Sequence, residues 1–476
     1  MKRQTDGKSR KARNPIPLSV DAPRSVLRAG QATSLLIVLF LAALGYLTYT
    51  LLTEASYYVA MSGTADYGIV YDRTGDVLFD GSRPLEEYPE GQFADVGNFI
   101  GDTSGQMSNT LISRNLEDLT NYSFMLGMSQ GNASWETTLL HSANRAVFDA
   151  MGEKEGTVIA CNWKTGELLV CVSKPCVDIA KGYDDLANMP SGSLLCKAFY
   201  PMVPGSTQKV STLIAAYETC GIEQINAMQY DCSGSWLNAK RQRINCHKEQ
   251  GHGTQTLVQA FANSCNPYFA QLVQSEQLPL SRVIETFTKM GYAVNGEKGK
   301  RLLMDGITAS PATVTLADPK DFDTQWGCLG QGDTLISPYQ LMLWQTAVAS
   351  GTGKSVQPYV IAAKTDAEGN RTEQTVRQSS EQLFSATTAQ AVRDVMTQNA
   401  AAYYKDSLGD YVCGVKSGTA QIIDHGEEYE NSLLVGFSMQ ETCPVAFCIL
   451  IEKRTAGELT TASLAKVLLD ALQDMT

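Results

Sequence analysis

The hydrophobic positions of this 476-residue chain fall into three patterns, and each pattern predicts a different kind of element. The first is an uncharged apolar run of 19 residues, Ser34–Leu52, which is long enough to cross a bilayer as a helix. The second is the short apolar run, as in Thr157–Trp163 and Glu167–Ser173, which the turn residues Lys164-Thr165-Gly166 join into a predicted hairpin. The third is helical spacing of apolar residues, as in Leu139–Met151.

The order of these patterns predicts the fold class. Helical patterns dominate from about 206 to 290 and again near 337–350. Two further strands are predicted at Ser432–Ser438 and Val445–Ile451, and a last helix at Ala462–Leu472. Strands near both ends with helices between them predict an antiparallel sheet covered by helices, which is an α/β (α+β) fold.

Charge divides the chain at the apolar run. The formal net charge of −12 consists of +6 over residues 1–30 and −18 beyond them. The positive-inside rule therefore places the basic tail in the cytoplasm and everything after about residue 53 outside. A cleaved signal peptide is the alternative, but the run is long for one and no small-x-small cleavage site follows at once. The acidic balance argues against nucleic-acid binding, and the single long apolar run argues against a polytopic membrane protein.

These boundaries predict four segments. Residues 1–33 form the cytoplasmic tail, and residues 34–53 form an uncleaved transmembrane anchor. Residues 54–138 are polar and weakly patterned, and we interpret them as a small, mostly β pedestal or dimerisation-like module. Within this pedestal, Tyr67–Leu78 predicts a hairpin. Residues 139–476 form the main domain, in which 364–382 is predicted to be an exposed loop or hairpin.

The twelve cysteines all lie after residue 160, and they are too sparse for a disulfide scaffold. Three of them lie in strand-like apolar runs, where buried free thiols are expected: Cys171, Cys413 and Cys448. Cys232 and Cys246 instead flank a polar segment and are the best disulfide candidates. With His247 and His252 they also form a possible zinc set, but the spacing fits no strong metal template, so we favour the disulfide.

The segment Ser206-Thr207-Gln208-Lys209 follows Pro204-Gly205 and precedes an apolar-periodic helix. Ser206 is therefore predicted near a helix N-terminus, where free amides and the dipole favour a developing oxyanion. Lys209 lies on the same helix face one turn later, and a desolvated lysine near another cation can act as a neutral general base. Ser-x-x-Lys alone arises often by chance, and an ordinary N-cap is the alternative for Ser206.

Two further motifs fit the same chemistry. Ser264-Cys265-Asn266 follows an apolar helix, and on a tight turn its hydroxyl and amide can face one cleft. There Ser264 would relay a proton to a leaving amine and Asn266 would orient Lys209 or a substrate amide, although a helix cap is the simpler interpretation. Lys416-Ser417-Gly418-Thr419 is predicted at a strand edge, with its lysine and hydroxyls suited to a terminal carboxylate. Gly418 permits close approach of a ligand or another backbone, and a solvated lysine is the alternative for Lys416.

None of these motifs is decisive alone, but their order along the chain is specific. In that order the chain resembles the penicillin-binding protein transpeptidases, members of the penicillin-recognising serine acyltransferases. Coverage runs from about residue 67 to the C-terminus. Further segments look like those of the family: Tyr71-Asp72-Arg73-Thr74-Gly75, Thr165-Gly166-Glu167-Leu168-Leu169, Leu195-Cys196-Lys197-Ala198-Phe199, and Gly330-Gln331-Gly332-Asp333 with Ser337-Pro338-Tyr339-Gln340.

The resemblance implies the serine β-lactamase/transpeptidase-like fold: a five-stranded antiparallel sheet flanked by helices, plus an all-helical subdomain. Residues 139–476 would be the transpeptidase domain, behind one anchor and a short pedestal, as in the monofunctional (class B) type. Only about 85 residues separate the anchor from this domain, so we expect no glycosyltransferase domain between them.

The resemblance also implies roles for the motif residues. Ser206 would be the nucleophile and Lys209 its base, with Ser264 and Asn266 completing the catalytic set. The substrate carboxylate would bind at Lys416, Ser417, Gly418 and Thr419, and the oxyanion at the backbone amides of Ser206 and Thr419.

The expected reaction is cross-linking of peptidoglycan stem peptides, drawn from a lipid-linked precursor, with β-lactam antibiotics as substrate mimics. The resemblance implies a partner, a polytopic glycosyltransferase of the shape, elongation, division and sporulation type. We expect no cofactor, no metal ion and no nucleic acid.

Two other functions stay open. A carboxypeptidase or β-lactamase would use water as the acceptor on the same fold, although the chain lacks the Glu-x-x-Leu-Asn run of class A β-lactamases. A non-catalytic β-lactam sensor or scaffold would need more signalling sequence than one anchor and a short tail. Other signals are weaker: Gly351-Thr352-Gly353-Lys354-Ser355 has no glycine at the first P-loop position, and the four histidines accompany no Gly-x-Ser-x-Gly elbow.

Overall fold

The computed structural model describes residues 24–53, 67–120, 122–123, 128–129, 133–366, 370–375, 379–424, 426–454 and 459–473. The chain divides into two compact units, Met1–Tyr58 and Val59–Thr476. In the first unit, the described residues form one helix, and it is the only described helix long and apolar enough to span a membrane. Its 30 residues correspond to roughly 45 Å at about 1.5 Å per residue, enough for a bilayer. The helix contains the predicted apolar run and extends beyond it at the N-terminal side.

The α-helices are numbered in chain order, and all but the first belong to the second unit. They are α1 Arg24–Thr53, α2 Gly97–Ile100, α3 Leu111–Thr120, α4 His141–Met151, α5 Lys209–Cys220, α6 Ile222–Ala227, α7 Leu257–Ala262, α8 Asn266–Gln274, α9 Leu280–Lys289, α10 Phe322–Cys328, α11 Pro338–Ala349, α12 Ala386–Tyr403, α13 Lys405–Leu408 and α14 Thr461–Leu472. Five short 3-10 helices accompany them: Leu85–Glu87, Ile179–Lys181, Leu186–Asn188, Lys197–Phe199 and Gly205–Gln208.

The strands are numbered in the same way. They are β1 Ile69–Tyr71, β2 Val77–Asp80, β3 Tyr122–Ser123, β4 Met128–Ser129, β5 Ser134–Thr137, β6 Gly156–Asn162, β7 Leu168–Lys174, β8 Gln229–Cys232, β9 Ser235–Leu237, β10 Arg243–Asn245, β11 Gly253–Thr256, β12 Ala293–Val294, β13 Leu302–Met304, β14 Ile307–Ala309, β15 Thr313–Val314, β16 Lys354–Val356, β17 Ile361–Thr365, β18 Arg371–Gln374, β19 Ser379–Gln382, β20 Cys413–Asp424, β21 Glu427–Ser438 and β22 Val445–Ile451.

The central sheet confirms the predicted fold class. Its five strands are antiparallel and lie in the order β20-β21-β22-β6-β7. Side chains alternate across it: Phe447 and Ile449 of β22 pack in the core under α4 and α14. Cys448 and Leu450 pack in the opposite core, with α11. Because helices cover both faces, β22 is a continuous apolar run and β21 is buried from Asn431 onward, while the edge strand β20 carries several polar residues.

A second five-stranded sheet links distant parts of the sequence, in the order β18-β17-β5-β1-β2. The predicted hairpin is present as β1 and β2. The parallel neighbour of β1 is β5, and β5 pairs with β17, where Thr365 donates to the carbonyl oxygen of Ser134 across 231 residues. The segment that we interpreted as a pedestal therefore shares a sheet with a hairpin from the 364–382 region.

The region 206–290 is less helical than its apolar pattern predicts. Between α6 and α7 the chain forms two nested antiparallel ladders, β8 with β11 and β9 with β10. These strands are three or four residues long and mostly polar, which is too short for a clear period-2 pattern.

The structure confirms one of our two expectations about the cysteines. Cys171, Cys413 and Cys448 are buried free thiols in β7, β20 and β22, as predicted. All twelve cysteines are described and free, so the disulfide favoured between Cys232 and Cys246 is not formed. Their thiols instead lie in a four-residue group with His252, which the possible zinc set already contained, and Cys265, which it did not.

Candidate functional site

Ser206 lies on the 3-10 turn Gly205–Gln208 that leads directly into α5. Gly205 has a φ of +54°, in the left-handed region that favours glycine. A Cβ at this position would lie 2.5 Å from the carbonyl oxygen of Thr419, so a larger residue cannot fit. The turn therefore holds the Ser206 backbone against strand β20 and presents its side chain next to Lys209, one turn further on.

The amine of Lys209 is the centre of the site. Its side chain is fully buried, and its Nζ lies 2.7 Å from Ser206 Oγ and 2.7 Å from Asn266 Oδ1. Nζ also lies 2.9 Å from the carbonyl oxygen and 3.1 Å from Oγ of Ser264. The three predicted motif residues thus meet at one nitrogen.

The protonation of this amine follows from its surroundings. Burial, reinforced by the positive charge of Lys416, holds the pKa of Lys209 well below its usual range. The Ser264 carbonyl and the Asn266 Oδ1 can only accept hydrogen bonds, so they use the two N–H groups of a neutral amine. Its lone pair is then free to accept the hydrogen of the Ser206 hydroxyl, which is the arrangement that activates a serine nucleophile.

The turn between α7 and α8 carries the second motif. Ser264 has a φ of +50°, a left-handed conformation that is uncommon outside glycine and that places its carbonyl and hydroxyl oxygens near Lys209. Asn266 is the first residue of α8, and its Nδ2 donates to the carbonyl oxygen of Asn245 at 3.1 Å. Neither side chain caps a helix, so the simpler cap interpretation does not hold here.

The edge strand β20 carries the third motif. Lys416 is buried, with its Nζ 3.1 Å from Ser264 Oγ and 2.6 Å from the carbonyl oxygen of Ser417. Burial lowers the pKa of Lys416 to about 7. Ser264 Oγ therefore lies between two amines, those of Lys209 and Lys416. The Ser417 hydroxyl accepts a hydrogen bond from Tyr404 at 2.7 Å.

Gly418 is required where the two sides of the site touch. A Cβ on Gly418 would lie 2.9 Å from the carbonyl oxygen of Pro204 and 3.0 Å from the amide nitrogen of Thr207. The close approach predicted for this glycine is thus made by the backbone beside Ser206. Gln331 supports the same contact, because its Nε2 donates to the Thr419 carbonyl at 3.2 Å.

These residues line a cleft of about 790 Å³. Ser206, Ser264, Asn266, Ser417, Gly418 and Thr419 face it, together with Arg243, Trp326 and Tyr403. Lys209 and Lys416 lie behind the cleft surface, with their amines directed to its serines. All eight predicted residues are brought together. Tyr404 was missed, since nothing in its local sequence indicates that it contacts β20. Gln331 belongs to a segment named for its resemblance to the family, but its contact with β20 was not predicted.

A sequence profile of the penicillin binding protein transpeptidase domain matches residues 156–470, about two thirds of the chain. The chain belongs to this family. The match confirms the resemblance and covers every motif residue of the cleft. The penicillin-binding protein fold is also that of the structural relatives: penicillin-binding protein A from M. tuberculosis, in a ceftriaxone acyl-enzyme complex, superposes with a TM-score of 0.74. That structure is 18% identical and covers 87% of this chain and 99% of its own.

The alignments of this penicillin-binding protein with its curated relatives cover smaller shares of the chains. Stage V sporulation protein D of Bacillus subtilis is 28% identical over 285 residues, which is 59% of this chain and 42% of that protein. Peptidoglycan D,D-transpeptidase PbpA of Mycolicibacterium smegmatis is 24% identical over 367 residues, 72% of this chain and 71% of that one. The chain therefore aligns with less than half the length of the first of these relatives.

Proposed function

We propose that this chain is a peptidoglycan D,D-transpeptidase that acts through an acyl-enzyme on Ser206. The observation that carries the proposal is the buried amine of Lys209, 2.7 Å from Ser206 Oγ and held by two acceptors that leave its lone pair to the hydroxyl. The name of the M. smegmatis relative supports the same activity.

In the first step Lys209 takes the hydroxyl proton as Ser206 Oγ attacks the carbonyl carbon of the penultimate D-Ala of a stem peptide. The oxyanion would be stabilised by the backbone amides of Ser206 and Thr419. The contact between the Gly205 backbone and Thr419 supports this pairing, because it holds the two chain segments side by side.

The terminal carboxylate would bind on the β20 side of the cleft. Ser417 and Thr419 line the cleft and offer it two hydroxyls, and a protonated Lys416 behind them would add positive charge. A substrate carboxylate would itself favour the charged form of Lys416.

Ser264 would then pass the proton to the leaving group. Its Oγ lies 3.1 Å from both Lys209 Nζ and Lys416 Nζ, so a proton from the attack can pass to the amine of the departing D-Ala. The peptide C–N bond breaks and an ester remains on Ser206. The amine of a neighbouring stem peptide attacks this ester, the cross-linking amide forms, and Ser206 regains its proton.

The anchor and partner follow from other features. We propose that α1 crosses the membrane with the basic tail in the cytoplasm and the catalytic domain outside, because the tail carries the excess of Lys and Arg. There the domain would meet cell-wall precursors and a polytopic glycosyltransferase. Protease digestion of intact spheroplasts tests the topology: the catalytic domain should be degraded and an epitope on the tail should be protected.

Intact-mass spectrometry after exposure to benzylpenicillin tests the reaction. The wild type should gain one antibiotic mass, Ser206→Ala should gain none, and Ser211→Ala, on the same helix but bonded to Tyr292, should still be labelled. An unlabelled wild type or a labelled Ser206→Ala would contradict the mechanism. With a stem-peptide substrate, cross-linked dimers support transpeptidation, whereas free D-Ala alone would indicate hydrolysis.

A further inference from the structure

Beside the catalytic turn, four side chains with metal-binding atoms converge from four separate places in the chain. They are Cys232 at the end of β8, Cys246 just after β10, His252 just before β11 and Cys265 just before α8. Their three sulfur atoms and one ring nitrogen all lie within 4.8 Å of one another. The three cysteines are buried, at 1%, 7% and 0% exposure.

The spacing of these atoms matches a tetrahedral metal site. The Nδ1 atom of His252 lies 3.4 Å from Cys246 Sγ and 3.7 Å from Cys232 Sγ. With Zn–S of about 2.3 Å and Zn–N of about 2.0 Å, tetrahedral angles put sulfur and nitrogen roughly 3.5 Å apart. The group therefore needs only small adjustments to surround one ion.

Backbone hydrogen bonds hold the chain around the four-residue group in place. The amide of His252 donates to the carbonyl oxygen of Cys232, and the amide of Cys246 donates to that of Gly234, each at 2.9 Å. Both bonds hold the two ladders of β8–β11 in the register that brings the side chains together. Ligand positions fixed by backbone bonds reduce the ordering that metal binding would otherwise require.

Close thiols alone do not make such a site, as another pair in this chain shows. Cys171 and Cys196 have sulfur atoms 3.5 Å apart in the core, but within the described residues no histidine or carboxylate joins them in a metal-binding group. The group at Cys265 differs because it adds a third thiol and an imidazole beside a polar cleft. Cys246 and its neighbour His247 line that cleft.

We propose that Cys232, Cys246, His252 and Cys265 bind one zinc ion in a closed tetrahedral site. Three thiolates and an imidazole are a ligand set that suits Zn²⁺, and four protein ligands leave no open position for a substrate, so the ion is structural. This replaces both the disulfide and our expectation of no metal. Compared with the zinc set considered from the sequence, it keeps Cys232, Cys246 and His252 and has Cys265 in place of His247.

The site also has a consequence for the cleft. Cys265 lies between Ser264 and Asn266, and Asn266 donates to the carbonyl oxygen of Asn245, the residue before Cys246. The zinc ion would join the Ser264–Asn266 turn to the end of β10 through Cys265 and Cys246, next to the hydrogen bond between Asn266 and Asn245. Cys265 is thus a positioning residue for the contacts of Lys209, and this second claim rests on the proposed function.

Metal analysis of the full-length chain, purified in detergent under reducing conditions with Zn²⁺ supplied, tests the site. We expect about one zinc per chain in the wild type and in the buried-cysteine control Cys448→Ala. We expect at least a tenfold lower content in Cys232→Ala and His252→Gln, whereas the matched control His247→Gln should keep its zinc. Replacing zinc by Co²⁺ should give the intense thiolate-to-cobalt absorption of a tetrahedral site. A wild type with less than about 0.1 zinc per chain, or a Cys232–Cys246 disulfide in peptide maps of protein prepared without reductant, would overturn the proposal.

The positioning role has its own readout. Benzylpenicillin acylation should slow by about tenfold or more in His252→Gln but not in Cys448→Ala, because small displacements of reacting groups cost large factors in rate. Zinc loss with an unchanged acylation rate would overturn the positioning role. A wild type that binds zinc but takes no benzylpenicillin would instead count against the proposed function, so the two failures are distinguishable.

Discussion

The two sides of the cleft hold the same type of side chain in different ways. On the helix side, Lys209 has four polar partners and lies one turn from Ser206. On the strand side, Lys416 has two, and one of them is 152 residues away. Both amines are buried, and burial lowers both pKa values. This difference supports the roles we propose: Lys209 acts as a neutral base on the helix side, and Lys416 on the strand side becomes charged when an anion binds.

Of the changes to the two lysines, replacing the proposed base Lys209 should lower the acylation rate most. In Lys209→Met we expect benzylpenicillin acylation to fall by about 10³-fold, because a general base typically contributes roughly 10²–10⁴ in rate. Stopped-flow acylation kinetics measure the loss. Methionine is apolar and of similar length, so circular dichroism should show an intact fold.

The matched control is Lys197→Met. This lysine pairs with Glu155 and Glu452 outside the cleft, so its loss should change acylation by less than about threefold. Acylation of Lys209→Met at near wild-type rate would remove Lys209 from the base role.

The pH dependence should separate the two lysines. The acylation rate should fall at low pH as Lys209 takes up a proton at its lowered pKa, since the charged amine has no lone pair. It should fall again as pH rises through about 7, where free Lys416 loses the charge that attracts a carboxylate. On each limb the second-order rate constant should drop about tenfold per pH unit. In Lys416→Arg the fall in rate on the alkaline side should shift to higher pH, because the guanidinium group keeps its proton. If the rate still falls near pH 7 in this variant, the fall is caused by another group.

The same contrast explains how much the sequence could predict. Ser206 and Lys209 are three residues apart, so helical spacing alone places them together, and β21 and β22 are apolar enough to be recognised directly. Pairings between segments that are distant in the chain give no comparable pattern in the local sequence. The resemblance placed Ser264 and Lys416 in one site. The membership of Cys265 in the group with Cys232, Cys246 and His252 was missed, as was the β5–β17 pairing, because each depends on contacts that only the folded chain makes.

The smallest expected effect comes from Tyr404, the residue on the strand side that sequence reasoning missed. Its hydroxyl donates to Ser417 Oγ at 2.7 Å, and burial raises its pKa, so the phenol keeps its proton through the working pH range. Tyr404→Phe frees the Ser417 hydroxyl to rotate away from the substrate carboxylate. A hydrogen bond of this kind is worth about 1 kcal/mol, which corresponds to roughly fivefold weaker binding. We expect the loss in the dissociation constant of the initial benzylpenicillin complex rather than in the acylation step, resolved by varying antibiotic concentration in stopped-flow experiments. Tyr411→Phe, whose hydroxyl contacts Asp470 instead, should leave both constants unchanged. If Tyr404→Phe slowed the acylation step itself, the strand side would take part in the chemistry as well as in binding, and the contrast between the two sides of the cleft would fail.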